Sequence, residues 1–197
     1  MTKYKRLALI SIFLVWISAA PRASAGEPTT QLSATINQFV DILVNTPVAQ
    51  LRATGLPEKA LALVFSRFDF SEMTKRSLGP HWEALDASQR RDFVHAFTQR
   101  LLVAYGRSVR ASGDEKVRYE GELLDGQYAS VATRVINNSG GELPIDYRMH
   151  AIDGQWKVYD MVIDHVSIVD NYRAQFNRVI ARSSVQDLLQ KMKEAGS

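Results

Sequence analysis

The chain has 197 residues, 46% of them hydrophobic and 23% charged, and no cysteine, which excludes disulfides, thiol catalysis and thiolate metal ligands. Its formal charge of +3 is unevenly spread: Lys3, Lys5, Arg6 and Arg22 fall in the first 25 residues, which carry no acid. The other 172 residues hold 20 basic and 21 acidic side chains, so net charge gives no ground for a nucleic-acid or anionic-membrane partner.

The first 25 residues read as a secretory signal. Lys3, Lys5 and Arg6 form a positive start, Leu7 to Ala20 an apolar run too short for a comfortable membrane span, and Ala23-Ser24-Ala25 a small-residue cleavage site. Cleavage after Ala25 is expected, with residues 26–197 forming one exported domain. An uncleaved N-terminal anchor is the alternative. An exported chain without disulfides relies on its hydrophobic core, and the periplasm of a Gram-negative bacterium is the compartment that fits.

Residues 29 to 45 place Leu32, Ile36, Phe39, Val40, Leu43 and Val44 on one helical face, with Thr29 or Thr30 as cap and Pro47 as stop. A loop containing Gly55 and Pro57 leads to a short apolar helix, "EKALALVFSRF". The segment "DFSEMTKRSLG" comes next, with Asp69 as N-cap and Gly79-Pro80 as terminator. The longest predicted helix, "DASQRRDFVHAFTQRLLVAYGRSV", opens with Asp86 and Gln89 in a capping-box arrangement. Phe93, Phe97, Leu101 and Tyr105 recur along it every four residues, and Val94, Leu102 and Val109 widen the stripe.

From residue 115 the period changes to two. "EKVRYEGELL", "GQYASVATRVIN", "ELPIDYRMHAI" and "QWKVYDMVIDHV" read as four strands joined by Asp125-Gly126, Asn137 to Gly141 and Asp153-Gly154. Ile145, Tyr147 and Met149 share a face of the third. In the fourth, Trp156 and Val158 take one face and Tyr159, Met161 and Ile163 the other. Helical spacing returns with Ile168, Val169, Tyr172, Phe176, Val179 and Ile180, and "VQDLLQKMKE" closes the chain. The predicted fold is α+β: a bent four-stranded antiparallel sheet covered by helices.

The usual catalytic signatures are absent: no nucleophile elbow, dinucleotide fingerprint, P-loop or zincin motif. The four histidines are scattered, and no cofactor or metal ligand set is expected. Asp160 and His165 form the one tempting acid–base pair. Two readings stand for Asp160, a general base in a pocket enzyme or a structural partner for a nearby arginine. Two readings also stand for the many aromatic residues on the helices. They fill a core, or the bent sheet and the helices fail to meet and leave an apolar pocket.

The segment "GQWKVYDMVIDHVSIVDNYRAQF" resembles the strand-to-helix signature of the periplasmic phospholipid-binding proteins of the Mla pathway, the toluene-tolerance family. Trp156, Lys157, Val158, Asp160, Val166, Ser167, Asn171, Tyr172, Arg173, Gln175 and Phe176 match it; "FDFSEMTKRSLGPHW" and "LPIDYRM" are similar to upstream family segments. One departure is His165, where the family carries glycine. The resemblance implies a phospholipid carrier, not an enzyme, serving an inner-membrane ABC transporter with its lipid-binding membrane-anchored subunit and an outer-membrane lipoprotein complex, and maintaining outer-membrane lipid asymmetry. It also implies a cavity, for which Phe97, Leu101, Tyr147, Met149, Val166, Ile168 and Tyr172 are the expected lining. Asp160, Asn171 and Arg173 are expected to fix the strand-to-helix junction. A carrier of another amphiphile, such as a hopanoid, is the alternative, and a monomer is the expected state.

Overall fold

Alternation with period two builds four long strands: β1 (Lys116–Asp125), β2 (Tyr128–Ile136), β3 (Glu142–Ile152) and β4 (Gln155–Ile163). A fifth, β5 (Val166–Ser167), was not expected. The sheet runs β1-β2-β3-β4-β5 with every neighbouring pair antiparallel. The structure is a computed structural model and describes residues 26–106, 116–137 and 139–195. The expected signal segment and its cleavage site, Val109, Glu115 and Asn138 lie outside the described residues.

The extra strand exists because the chain reverses within two residues. Asp164 (φ 47°) and His165 (φ 65°) both adopt the left-handed conformation, so Ile163 pairs with Val166 and Val162 with Ser167. A tight turn of this hand matches the strand twist and normally selects Asn, Asp or Gly. His165 occupies a position where positive φ is required, which explains why glycine suits it.

Two register shifts curl the sheet, one at Tyr119/Gly121 in β1 and one between Arg148 and Met149 of β3, opposite Tyr159. An extra residue in one strand bends it and flips the phase of the residues beyond it. The second shift corrects the expected faces of β4. Met149 pairs with Val158 and Tyr147 with Met161, so Val158 and Met161 lie on the same side of the sheet. Strict alternation had set them on opposite sides.

The helices are α1 (Glu27–Val44), α2 (Val48–Thr54), α3 (Glu58–Arg67), α4 (Phe70–Leu78), α5 (Ala87–Gly106), α6 (Ile168–Ile180) and α7 (Val185–Ala195). Helix α1 starts a turn earlier than its threonines suggest. Instead of capping, Thr29 gives its N–H and hydroxyl to the Glu122 carboxylate of β1, at 2.9 and 2.5 Å. An anion from another element thus satisfies the helix start. The expected loop around Gly55 contains the two-turn α2, ended by Gly55 at φ 75°. Asp69 caps α4 by accepting the Glu72 N–H. At α5 the box is complete: Asp86 accepts from the Gln89 N–H and the Gln89 side chain accepts from the Asp86 N–H, both at 2.9 Å.

Two cores result. One joins α4, α5, α6 and α7, and at its centre Phe97 packs edge-on against Tyr172 and Phe176 with ring centroids 4.9 and 5.4 Å apart. The other lies on the sheet, where Leu32 of α1 covers Ala129, Val131, Met149, Trp156 and Val158. Phe68 and Met161 touch both. The free edge of β4 is covered as well: the Asp69 N–H donates to the Val158 carbonyl at 2.8 Å.

Candidate functional site

Beside the bridging Phe68 and Met161 the two cores do not close on each other, and a cavity of about 750 Å³ remains. Its sheet wall is set by the register. Val117, Val135 and Leu143 form one cross-strand row, Ile145 and Ile163 the next, and Tyr147 and Met161 the third. The adjoining row, Ala129, Met149 and Val158, belongs to the sheet core and does not line the cavity. The facing wall comes from α1 (Leu32, Ile36, Phe39, Val40, Leu43), α3 (Val64, Phe68), α4 (Phe70, Met73), α5 (Leu101, Leu102, Tyr105) and α6 (Ile168). The lining residues Asn137, Glu142 and Leu143 are exposed, so the cavity meets solvent beside the β2–β3 turn.

The polar groups in this wall are few: Thr35, Arg67, Asn137, Glu142 and the tyrosine hydroxyls. Burial pushes the Tyr147 hydroxyl well above the ordinary phenol range, and Tyr119 beside it is pushed up to about 12. The Tyr119 hydroxyl is buried without a hydrogen-bond partner among the described residues. Near neutral pH both are uncharged. Nearly everything the cavity offers is hydrocarbon and aromatic surface, so its chemistry is that of an apolar solvent with a shape.

Of the expected lining residues, the structure places Leu101, Tyr147 and Ile168 on the cavity wall. Phe97 and Tyr172 lie behind it in the helical core and Met149 in the sheet core, each in contact with other side chains. Val166 sits on the short β5 and is 57% exposed. Helical and strand periods report which face is apolar, but core and cavity residues share that face. The same limit hid the α1 residues, whose stripe was legible while its role as a wall was not. Arg67 was also missed. It comes three residues after Val64, in phase with it on α3.

The junction after β4 is held by Asp160, 1% exposed. Its carboxylate accepts the Arg148 guanidinium N–H at 3.0 Å, the Ser167 hydroxyl at 2.7 Å and the Val169 N–H at 3.1 Å. Strand β3, strand β5 and the first turn of α6 are tied to one buried anion. Arg173 ties α6 to α4 through the Arg76 carbonyl at 2.7 Å and pairs with Asp170. Asn171 makes no bond to that junction among the described residues: it lies on the exposed side of α6, where its side-chain carbonyl accepts from Gln175. Neither Asp160 nor His165 reaches the cavity wall, and His165 is exposed at its turn.

Comparison with known proteins gives concordant matches. The family model described as "MlaC protein" matches residues 33–194. Toluene tolerance protein ttg2D of Pseudomonas putida is 24% identical over 148 residues, 75% of this chain and 61% of that protein. The intermembrane phospholipid transport system binding protein MlaC of Haemophilus influenzae is 25% identical over 126 residues, 61% of this chain and 58% of its own length. The matches thus span about three fifths of these curated relatives. A phospholipid-binding protein from Ralstonia solanacearum, solved in complex with a phospholipid, superposes with a TM-score of 0.77 at 24% identity, covering 87% of this chain and 97% of that one. At that identity the likeness shows a shared fold.

Proposed function

This chain belongs to the MlaC protein family, and from that premise we propose that it is a phospholipid carrier. The observation that carries the reading is the cavity of about 750 Å³ held between two separate cores and walled by apolar side chains. A packed domain of this size has no need of such a void, since unfilled apolar volume forfeits contacts that would stabilise it. A fold that keeps it open keeps it for a guest. Two relatives support the guest's identity by name, one a phospholipid transport binding protein and one a structure holding a phospholipid.

The physics of transfer fits. Exposing a two-chain lipid to water costs on the order of 20 kcal/mol, at about 0.8 kcal/mol for each of roughly thirty methylenes. A carrier through an aqueous space has to match the bilayer's apolar environment and not greatly exceed it, because too deep a well would block release. We place the carrier in the periplasm. There it exchanges lipid with an outer-membrane lipoprotein complex and an inner-membrane ABC transporter bearing a membrane-anchored lipid-binding subunit, and so maintains outer-membrane lipid asymmetry. No helix among the described residues is long and apolar enough to cross a membrane.

Two features favour carriage over catalysis. The buried carboxylate of Asp160 already accepts three hydrogen bonds, and it lies off the cavity wall together with His165. The test is transfer of a radiolabelled phospholipid between two vesicle populations. The protein should accelerate it in proportion to its concentration and leave the lipid chemically intact. Recovery of hydrolysed or modified lipid would favour an enzyme.

A further inference from the structure

Arg67 is the outlier of the cavity wall. It ends α3 about one turn after Val64, and with Thr35 of α1 it lines a largely hydrocarbon space. A guanidinium stays charged at any physiological pH, and one set into a wall of this kind ordinarily has a carboxylate beside it. Here it has none among the described residues. Its Nε donates to the Thr35 hydroxyl at 2.9 Å, and its Nη1 donates to the Gln31 side-chain oxygen at 2.9 Å and the Trp156 carbonyl at 2.5 Å. All three acceptors are neutral.

Those bonds also fix the side chain. Gln31 is itself held, its oxygen accepting the Trp156 N–H at 2.9 Å, and the Thr35 hydroxyl donates to the Gln31 carbonyl at 3.0 Å. The guanidinium is locked at the seam between α1, α3 and the start of β4 by three of its five N–H groups. The two N–H groups on Nη2 have no partner among the described residues. Partial burial pushes its pKa down, as expected for a cation partly screened from water with no carboxylate beside it among the described residues.

We propose that Arg67 is the anchor for the ligand's phosphate, which docks against the free edge of the guanidinium at this seam while the acyl chains fill the cavity. The inference rests on the carrier reading and adds to it a named residue and a required charge on the ligand. A phosphodiester presents two oxygens in the geometry a guanidinium edge matches, and a charge-assisted pair is stronger where water is partly excluded. It also gives the carrier a means of rejecting uncharged lipids of the same tail length, since these would leave the cation unpaired.

The experiment uses delipidated protein and displacement of a fluorescent fatty-acyl probe by three competitors: dioleoylphosphatidylglycerol, dioleoylglycerol and inorganic phosphate. Wild type should bind the phospholipid at least tenfold more tightly than the diacylglycerol, and inorganic phosphate should not displace the probe. In Arg67→Gln the phospholipid should weaken about tenfold while the diacylglycerol is unchanged, which also reports an intact cavity. Should Arg67→Gln fail to fold, Gln31→Glu serves. It keeps an acceptor for Nη1 but supplies an internal carboxylate, and it should erase the same preference. Equal affinity of wild type for the two lipids, or an undiminished preference in the variants, overturns the assignment and leaves the carrier reading intact. Phosphate acting at concentrations near those of the phospholipid would assign Arg67 to free anions and overturn the lipid form of the proposal. Failure of wild type to bind either lipid overturns the carrier reading and this inference together.

Discussion

The Ser167 hydroxyl donates to the buried Asp160 carboxylate at 2.7 Å and, through the same oxygen, accepts the Asp170 N–H at 3.0 Å. One serine therefore links the end of β4 to the cap of α6, and the cavity wall contributed by Ile168 depends on that link. Asp160→Asn keeps the size of the side chain but removes the charge that Arg148 pairs with and turns an acceptor into a donor. We expect a loss of roughly 1–3 kcal/mol of stability, read by urea unfolding, with lipid still held by the folded fraction. A variant as stable as wild type would mean that the junction is held elsewhere.

Leu101 and Met149 are both buried, at 5% and 0% exposure, yet they should answer oppositely to added bulk. Leu101 lines the cavity, so Leu101→Trp should fill space meant for acyl chains. The protein should fold with unchanged or raised stability and carry less lipid. Met149 is enclosed by the sheet core, so Met149→Trp should strain the fold by roughly 1–3 kcal/mol. Lipid content per folded molecule, set against the midpoint of thermal unfolding, separates the two. Matching behaviour at both positions would dissolve the distinction between wall and core.

His165 holds a φ of 65°, and His165→Gly should relieve it. A non-glycine residue in the left-handed region costs about 1 kcal/mol, part of which glycine returns through its greater freedom in the unfolded chain. The expected net gain is about 0.5 kcal/mol by chemical denaturation. His165→Val should destabilise clearly, because a β-branched residue resists this conformation. A tolerated valine would contradict the turn geometry.

Tyr119 supplies a pH test. The unfolded chain releases this proton near pH 10, whereas burial holds it in the folded protein to about 12. A raised folded pKa gives stability that is complete below pH 10 and is lost as pH climbs from 10 toward 12. Tyr119→Phe should flatten that alkaline decline. At neutral pH it should stabilise by roughly 1 kcal/mol, because it removes a buried hydroxyl that has no partner among the described residues. An unchanged alkaline profile would place the titration elsewhere.

The parts of this fold that were legible in the sequence are those set by local chemistry. The Asp86–Gln89 box, the Asp69 cap, the change of period near residue 115 and the paired turns all depend on neighbours a few residues away. The parts that were not legible depend on contacts distant in the chain. Glu122 meets Thr29 across 93 positions to start α1. The extra residue at Tyr159 is a matter of register against β3, and it moves Met161 to the side of Val158. The cavity belongs to this second class. Leu101 and Phe97 stand four residues apart on one stripe of α5, and only the packing of α6 behind Phe97 makes the first a wall and the second a core residue.

Native mass spectrometry of the wild-type protein, purified without detergent from the cells that make it, tests the central claim most directly. The account predicts a population heavier than the bare chain by the mass of a phospholipid, released on denaturation and identifiable in the extract, and depleted in Leu101→Trp. A protein that flies at its bare mass, or one whose extract holds a neutral amphiphile such as a hopanoid in place of phospholipid, would contradict it.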